Sequence, residues 1–189
     1  MQSQRAFVAV LGVALVCACA WGQTPLWETH IEAGHRAFGP NDAEAERQYL
    51  AGLREAARLG IDNPKVAKAL TKLGFIYQLR RNNPKAEEFY RRALEMNEKT
   101  AGLESKEVAE TLAELATFYD LSGRYAAAEA HYKRGLQIAE KEWAEHKGEP
   151  YLLWTFLNNL SAMYKQKGRF MEAAELEARA KAIRAMQTR

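Results

Sequence analysis

From about residue 26 onward, apolar residues recur in steps of three and four, the spacing that keeps side chains on one face of an α-helix. Leu70, Leu73 and Tyr77 set the pattern; Leu112, Leu115 and Tyr119 repeat it, and so do Leu157, Leu160 and Tyr164. The residue after each middle leucine is small (Gly74, Ala116, Ser161), which lets a partner helix approach closely. A second helix follows each first one. Its pattern is alanine, then Tyr49, Tyr90 or Tyr132 four residues on, then a small Gly52, Ala93 or Gly135. The opening alanines, Ala45, Ala86, Ala128 and Ala173, are 41, 42 and 45 residues apart. The pattern predicts about four helix-turn-helix units, over residues 26–60, 64–101, 104–147 and 149–187. Units that cannot bury their apolar faces alone stack into a solenoid.

Local signals agree with these units. Asn63-Pro64 and Asn83-Pro84 place a capping side chain ahead of a proline at the first helical position. Asn41 with Glu44 has the form of a capping box. Ser105 reads as another cap, and Gly123 and Gly168 supply tight turns within their units. The ends of the array depart from the pattern. Ala33 and Ala37 stand where leucine and tyrosine are expected, and the turn of the first unit is one residue short. Glu177 replaces the second-helix tyrosine in the fourth unit, as expected of a terminal cap whose outer face meets water.

The first residues are a different material. Arg5 is followed by the apolar run AFVAVLGVALV and then by small residues. That is the form of a secretory signal peptide, and the run is too short for a membrane span of about 20 apolar residues. Small-residue cleavage patterns end before Trp21 and before Gln23; the second is favoured, giving a leader of 1–22 and a repeat domain of 23–189. A lipid anchor at Cys19 is an alternative, although Val16 stands where such signals usually carry leucine; an uncleaved leader is a third. The chain is expected to be exported, periplasmic or secreted, or else lipid-anchored to the cell envelope. Both cysteines lie in the leader, so cleavage after Gly22 leaves no disulfide framework.

Composition narrows the remainder. Glycine (12) and proline (5) are scarce among 189 residues, which argues against a turn-rich β-protein. The net charge of +3 comes from 27 basic and 24 acidic residues, interleaved along the chain, and shows no nucleic-acid footprint.

The 42-residue unit, with its YKRGL and LNNLSAMY segments, resembles the tetratricopeptide repeat, and most closely the kinesin-light-chain type and its bacterial relatives. The resemblance covers about residues 26–187. It implies an all-α, right-handed superhelix with the first helices on the concave side, and a scaffold that binds proteins or peptides. In kinesin-light-chain-like repeats the asparagine matching Asn159 clamps a peptide backbone from the groove. Here Lys72 and Glu114 hold that slot in the second and third units.

No catalytic or cofactor motif stands out. HExxH, paired CxxC and Gly-rich phosphate loops are absent from the sequence. Ser105, Ser122 and Ser161 lie at a cap, a turn and a small-residue slot, none in a GxSxG context. His30, His35, His131 and His146 lack partners at metal spacing and read as surface or partly packed side chains. Trp27 and Trp154 read as packing residues, and Trp143 as packing or an exposed anchor. No enzyme activity, cofactor or metal is therefore expected.

By the repeat register, the outward positions of the first helices are Glu28 and Glu32, Lys68 and Lys72, Glu110 and Glu114, and Thr155 and Asn159. The charge alternates, which fits either ion pairs between neighbouring helices or a groove for a mixed-charge or neutral peptide, and not one specific for strongly acidic peptides. The candidate groove comprises Lys68, Lys72, Phe75, Gln78, Glu110, Glu114, Thr117, Asn158, Asn159 and Ala162. The leading expectation is a peptide- or protein-binding adaptor; the alternative is a structural subunit or lipoprotein of a bacterial envelope complex.

Overall fold

The structure, a computed structural model, describes residues 24–146 and 150–187. The leader, its cleavage points, Cys19 and the side chain of His146 lie outside the described residues. The described residues form helices α1 (Leu26–Ala37), α2 (Asp42–Leu59), α3 (Pro64–Leu79), α4 (Asn83–Ala101), α5 (Lys106–Leu121), α6 (Tyr125–His146), α7 (Tyr151–Gln166) and α8 (Phe170–Gln187), with no strand among them. The chain divides into two compact units at Ala69/Leu70, within α3.

In the first unit, α1 packs on α2. The Tyr49 ring lies on Gly34, where an added Cβ would come within 2.5 Å of it. Its hydroxyl meets His35 Nδ1 at 2.8 Å. Trp27 and Ile31 are buried beside them. His30 Nδ1 meets Gln48 Oε1 at 2.7 Å, so both histidines of this unit serve packing. Lys65 at the start of α3 pairs with Glu28 and Glu32 of α1. The ion-pair reading of this part of the face therefore holds, with Lys65 as the base.

In the second unit the helices pair as the periodicity predicts: α5 on α6 and α7 on α8, with α4 against α5 and α6 against α7. Tyr90 of α4 covers Gly74 of α3, where an added Cβ would meet the ring at 2.9 Å. The leucines Leu70, Leu73, Leu112, Leu115, Leu157 and Leu160 are all buried, as are Ala86, Ala128 and Ala173. The second-helix tyrosines also reach the following repeat. Tyr90 packs on Phe118 with centroids 5.7 Å apart, and Tyr132 meets Phe156 edge-on at 6.5 Å. Gly135 leaves the space that Phe156 enters. Each aromatic ring so buried stabilises by roughly 1.5–3 kcal/mol.

A second device joins successive repeats. Glu87 of α4 accepts hydrogen bonds from Tyr119 (2.8 Å) and Arg124 (2.5 Å), which lie in and just after α5. One repeat later, Glu129 of α6 accepts from Tyr164 (2.8 Å) and Arg169 (2.7 Å). Each arginine also lies over the tyrosine ring, at 4.4 and 3.8 Å from its centroid. Hydrogen bonds from Arg169, Lys133 and Tyr164, with Arg169 foremost, hold the Glu129 carboxyl down to about 2 against the opposing effect of burial. At Glu87 burial raises the carboxyl, but hydrogen bonds from Tyr119 and Arg124 outweigh it and the net shift is downward.

The turns explain one correction. Asn82, not Asn83, caps α4: its side chain accepts the Lys85 N–H, and Pro84 follows within the first turn. The turn before it places Arg81 at φ 58°, the left-handed conformation that Gly123 (φ 74°) and Gly168 (φ 73°) adopt in the same register. The hydrogen bonds match in all three turns: Arg81, Gly123 and Gly168 each donate to the carbonyl three residues back. Asn41 caps α2 through the Glu44 N–H at 3.1 Å. The capping box is only half made, however, because the Asn41 N–H goes to the Ala37 carbonyl and the Glu44 carboxylate to Gln48. Ser105 caps α5 and Pro64 follows Asn63 as expected.

Candidate functional site

The first helices of the second unit bury one face against their partners and leave another exposed. On α5 the uncovered positions include Glu110, Glu114, the half-buried Thr117, and Leu121, which is 73% exposed. Their i, i+4, i+7, i+11 spacing makes one stripe along the helix. On α3 the second unit's part of the matching stripe holds half-buried Lys72, then Phe75 and Leu79 (37% and 59% exposed), while exposed Lys68 lies in the first unit. On α7 it holds half-buried Thr155 and Asn159 and exposed Ala162, with exposed Asn158 beside it. Helices α5 and α7 lie side by side, so their stripes form one continuous surface.

Two buried tyrosines bring the polar members of this surface together. The Tyr90 hydroxyl donates to Gln78 Oε1 at 2.9 Å. The Tyr132 hydroxyl meets Thr117 Oγ1 at 3.0 Å. Burial, then the nearby Glu114 carboxylate, raise the Tyr90 phenol well above its ordinary value; burial also raises Tyr132. Both stay protonated donors through the neutral range. Asn159 is half-buried at the edge of the surface, and Asn158 is exposed beside it on α7.

Other residues belong to these stripes that the register alone did not indicate: Tyr90 and Tyr132 beneath them, Leu79 at the apolar end of the α3 stripe, Leu121 at that of the α5 stripe, and Asp120. The tyrosines read as core residues in the sequence, and only their hydroxyl partners disclose the second role. Leu79 and Leu121 were findable, since they sit 42 residues apart at the end of the two stripes. One Asp120 carboxylate oxygen is buried without a hydrogen-bond partner among the described residues, and burial raises its pKa.

The remaining polar side chains sit in packing roles. His131 stacks on Tyr119 at 5.3 Å, and burial followed by Arg134 and Arg91 holds it toward the neutral form. Trp154 is half-buried with Arg184 over its ring at 6.0 Å. Trp143 is half-buried too. Glu177 is exposed and, in place of the absent tyrosine, accepts from Ser161 (3.2 Å) and pairs with Lys165. Among the described residues no cluster of three or more His, Cys, Asp or Glu is placed to hold a metal, and no helix is long and apolar enough to cross a membrane.

Comparison with known proteins gives a consistent account. A tetratricopeptide-repeat family model matches residues 65–141 and a second matches residues 155–186. The solved structure of BtubC (BKLC) from P. vanneervenii is similar at TM-score 0.79 and 29% identity, covering 88% of this chain. This chain spans 66% of that one. A kinesin-light-chain structure of nearly identical TPR-like repeats from Podosopora anserina is similar in fold. Its single-substitution form matches at TM-score 0.50 and 15% identity, covering 85% of this chain and 95% of that one. A further structure of the same repeats matches at TM-score 0.49 and 16% identity, over 86% and 96%. No curated protein matches the chain. The two family matches and helical hairpins repeating every 41 to 45 residues agree: this chain belongs to the tetratricopeptide-repeat family.

Proposed function

We propose that the protein is a non-catalytic adaptor that holds a peptide or partner protein against the exposed face of its first helices. Tetratricopeptide repeats serve in general as protein-interaction scaffolds, and the fold is a typical non-enzymatic one. The observation that carries the narrower reading is the surface on α5 and α7, where Thr117 is held on the Tyr132 hydroxyl and Glu114 and Asn158 are exposed with half-buried Asn159 between them and the core. An asparagine amide offers both a donor and an acceptor, which suits a peptide backbone. The sequence of the leader supports placing this adaptor outside the cytoplasm, as an exported or lipid-anchored protein.

The test is a cross-linked pull-down from the envelope fraction of the native cells, comparing wild type with the Lys72→Ala, Asn159→Ala double variant. The proposal expects a specific partner with wild type that is lost with the variant. The same partner recovered with both would move binding to another face. Exposed Phe170, Met171 and Met186 on α8, 67%, 86% and 63% accessible, favour that second reading, a structural subunit docked through its terminal helix.

A further inference from the structure

Helix α8 is apolar on two sides. One side, with Ala173, Leu176 and Ile183, is buried in the fold. The other carries Met171, Ala174, Ala178, Ala182 and Ala185, all exposed, at the i, i+3, i+7, i+11, i+14 spacing of a single helix face. Phe170 and Met186 lie beside its two ends, and Phe170, Met171 and Met186 are 67%, 86% and 63% accessible. A helix apolar on two opposite sides is built to be covered on both, and large apolar side chains gathered on an exposed face mark an interaction surface.

In the inner repeats this same face receives the following repeat. Glu87 and Glu98 on α4 pair with Arg124 and Arg134, and Glu129 and Glu140 on α6 pair with Arg169 and Arg179. At the repeat spacings of 42 and 45 residues, the matching positions on α8 are Ala174 and Ala185. The face is therefore continuous with the interface that joins the repeats, but methyl groups stand where carboxylates seat a repeat of this kind. What fits it is another apolar helix face.

Charge identifies that helix. Before Ala178, α8 carries Glu172, Glu175 and Glu177 and no base; after it, Arg179, Lys181 and Arg184 and no acid. Glu172, Glu177 and Arg179 already pair with Arg169, Lys165 and Glu140, and Arg184 lies over Trp154. Glu175 and Lys181 are exposed and form no ion pair among the described residues. They flank the apolar face three residues to either side of Ala178. An antiparallel second copy centred on Ala178 sets Glu175 level with the partner's Lys181, and Met171 level with the partner's Ala185, so that acid meets base and large meets small. A parallel copy sets Glu175 against the partner's Glu175, and like-charge juxtaposition suppresses that arrangement.

We infer that the exposed face of α8 is a homodimer interface, on which two copies of this chain pair antiparallel about a two-fold axis at Ala178. Such a contact is isologous, the same patch meeting itself. None of its residues lies on α5 or α7, so the dimer and the proposed peptide surface stand or fall separately.

The test is sedimentation equilibrium of the full chain over a range of concentrations up to high micromolar. The expected result is a reversible dimer that Ala178→Arg reduces to a monomer. Ala178 is exposed and arginine is a good helix former, so that variant should keep the wild-type helical content, which circular dichroism checks. Glu175→Lys and Lys181→Glu should each weaken the dimer at least fivefold by setting like charges level. The two together should return it to within roughly twofold of wild type. A chain that stays monomeric throughout overturns the inference and gives the face to a helix of another protein. A dimer indifferent to Ala178→Arg overturns it too, since pairing then lies elsewhere. A double charge variant no tighter than the single ones overturns the antiparallel arrangement and the inference with it.

Discussion

Tyr164 of α7 donates its phenolic hydrogen to Glu129 of α6 at 2.8 Å, across the boundary between two repeats. Tyr119 makes the same bond to Glu87 one repeat earlier, also at 2.8 Å. In an array whose repeats touch only their neighbours, such boundary contacts set the cooperativity of the whole. Tyr164→Phe keeps the ring in place and removes only the hydroxyl. It should therefore cost about 1 kcal/mol, and Tyr119→Phe a similar amount. Urea unfolding followed by circular dichroism measures both; no loss in either variant would show that the carboxylates are held by their basic partners alone.

The same contact predicts a pH dependence. The folded Glu129 carboxyl titrates at about 2, below its ordinary 4.5. A depressed carboxylate pKa stabilises the fold fully above the ordinary value, and the contribution fades as pH falls from 4.5 toward 2. With solvent screening at this partly covered site it amounts to roughly 1–2 kcal/mol. Glu129→Gln should be less stable than wild type at pH 7, and the gap should shrink as pH falls toward 2, where the folded carboxyl is half protonated. A stability gap undiminished at pH 2 would contradict the ionic origin.

Arg81 adopts the left-handed conformation that glycine takes in the next two repeats. A side chain there is strained, whereas glycine adopts that backbone readily. Arg81→Gly should stabilise the protein by roughly 0.5–1 kcal/mol, after allowing for the greater freedom of glycine in the unfolded chain. Thermal unfolding at matched protein concentration checks the sign, and a lower melting temperature would refute it.

Gly135 sits in mid-helix, where alanine normally gains about 1 kcal/mol in helix propensity. Here an added Cβ would lie 2.1 Å from the Phe156 ring, which is completely buried and has nowhere to go. Overpacking costs typically 1–3 kcal/mol, so Gly135→Ala should be net destabilising. Ala86→Leu and Ala128→Leu, at positions with no exposed area, should each cost about 1–3 kcal/mol or more for the same reason. Denaturant midpoints decide both cases; unchanged midpoints would place the repeat register elsewhere.

The hairpins were legible because their signal is local. Leucine and tyrosine at three- and four-residue steps fix the buried face of each helix, and Gly74 under Tyr90 is what the small-residue slot implies. The inter-repeat locks were not legible. Glu129 and its partners lie 35 and 40 residues apart, and each alone reads as a solvated charge or a core ring. The same holds for Asn97 of α4, buried against Thr111 of α5 at 2.8 Å, which looks like one more polar helix residue in the sequence. Asn82 and Asn83 both precede a proline, and only the left-handed turn at Arg81 decides which of them caps the helix. The stripe Glu114, Thr117 and Asn159 was legible by register, but the bond of Thr117 to the Tyr132 hydroxyl depends on how α5 and α6 pack.

The most direct test of the account is site-specific photo-cross-linking. A benzoylphenylalanine placed at Asn158 or Ala162, both exposed on α7, is compared with one at Glu88 on the outer face of α4. The account predicts a partner adduct from the α7 positions and none from position 88. Adducts from position 88 alone would contradict it and place binding on the second-helix side.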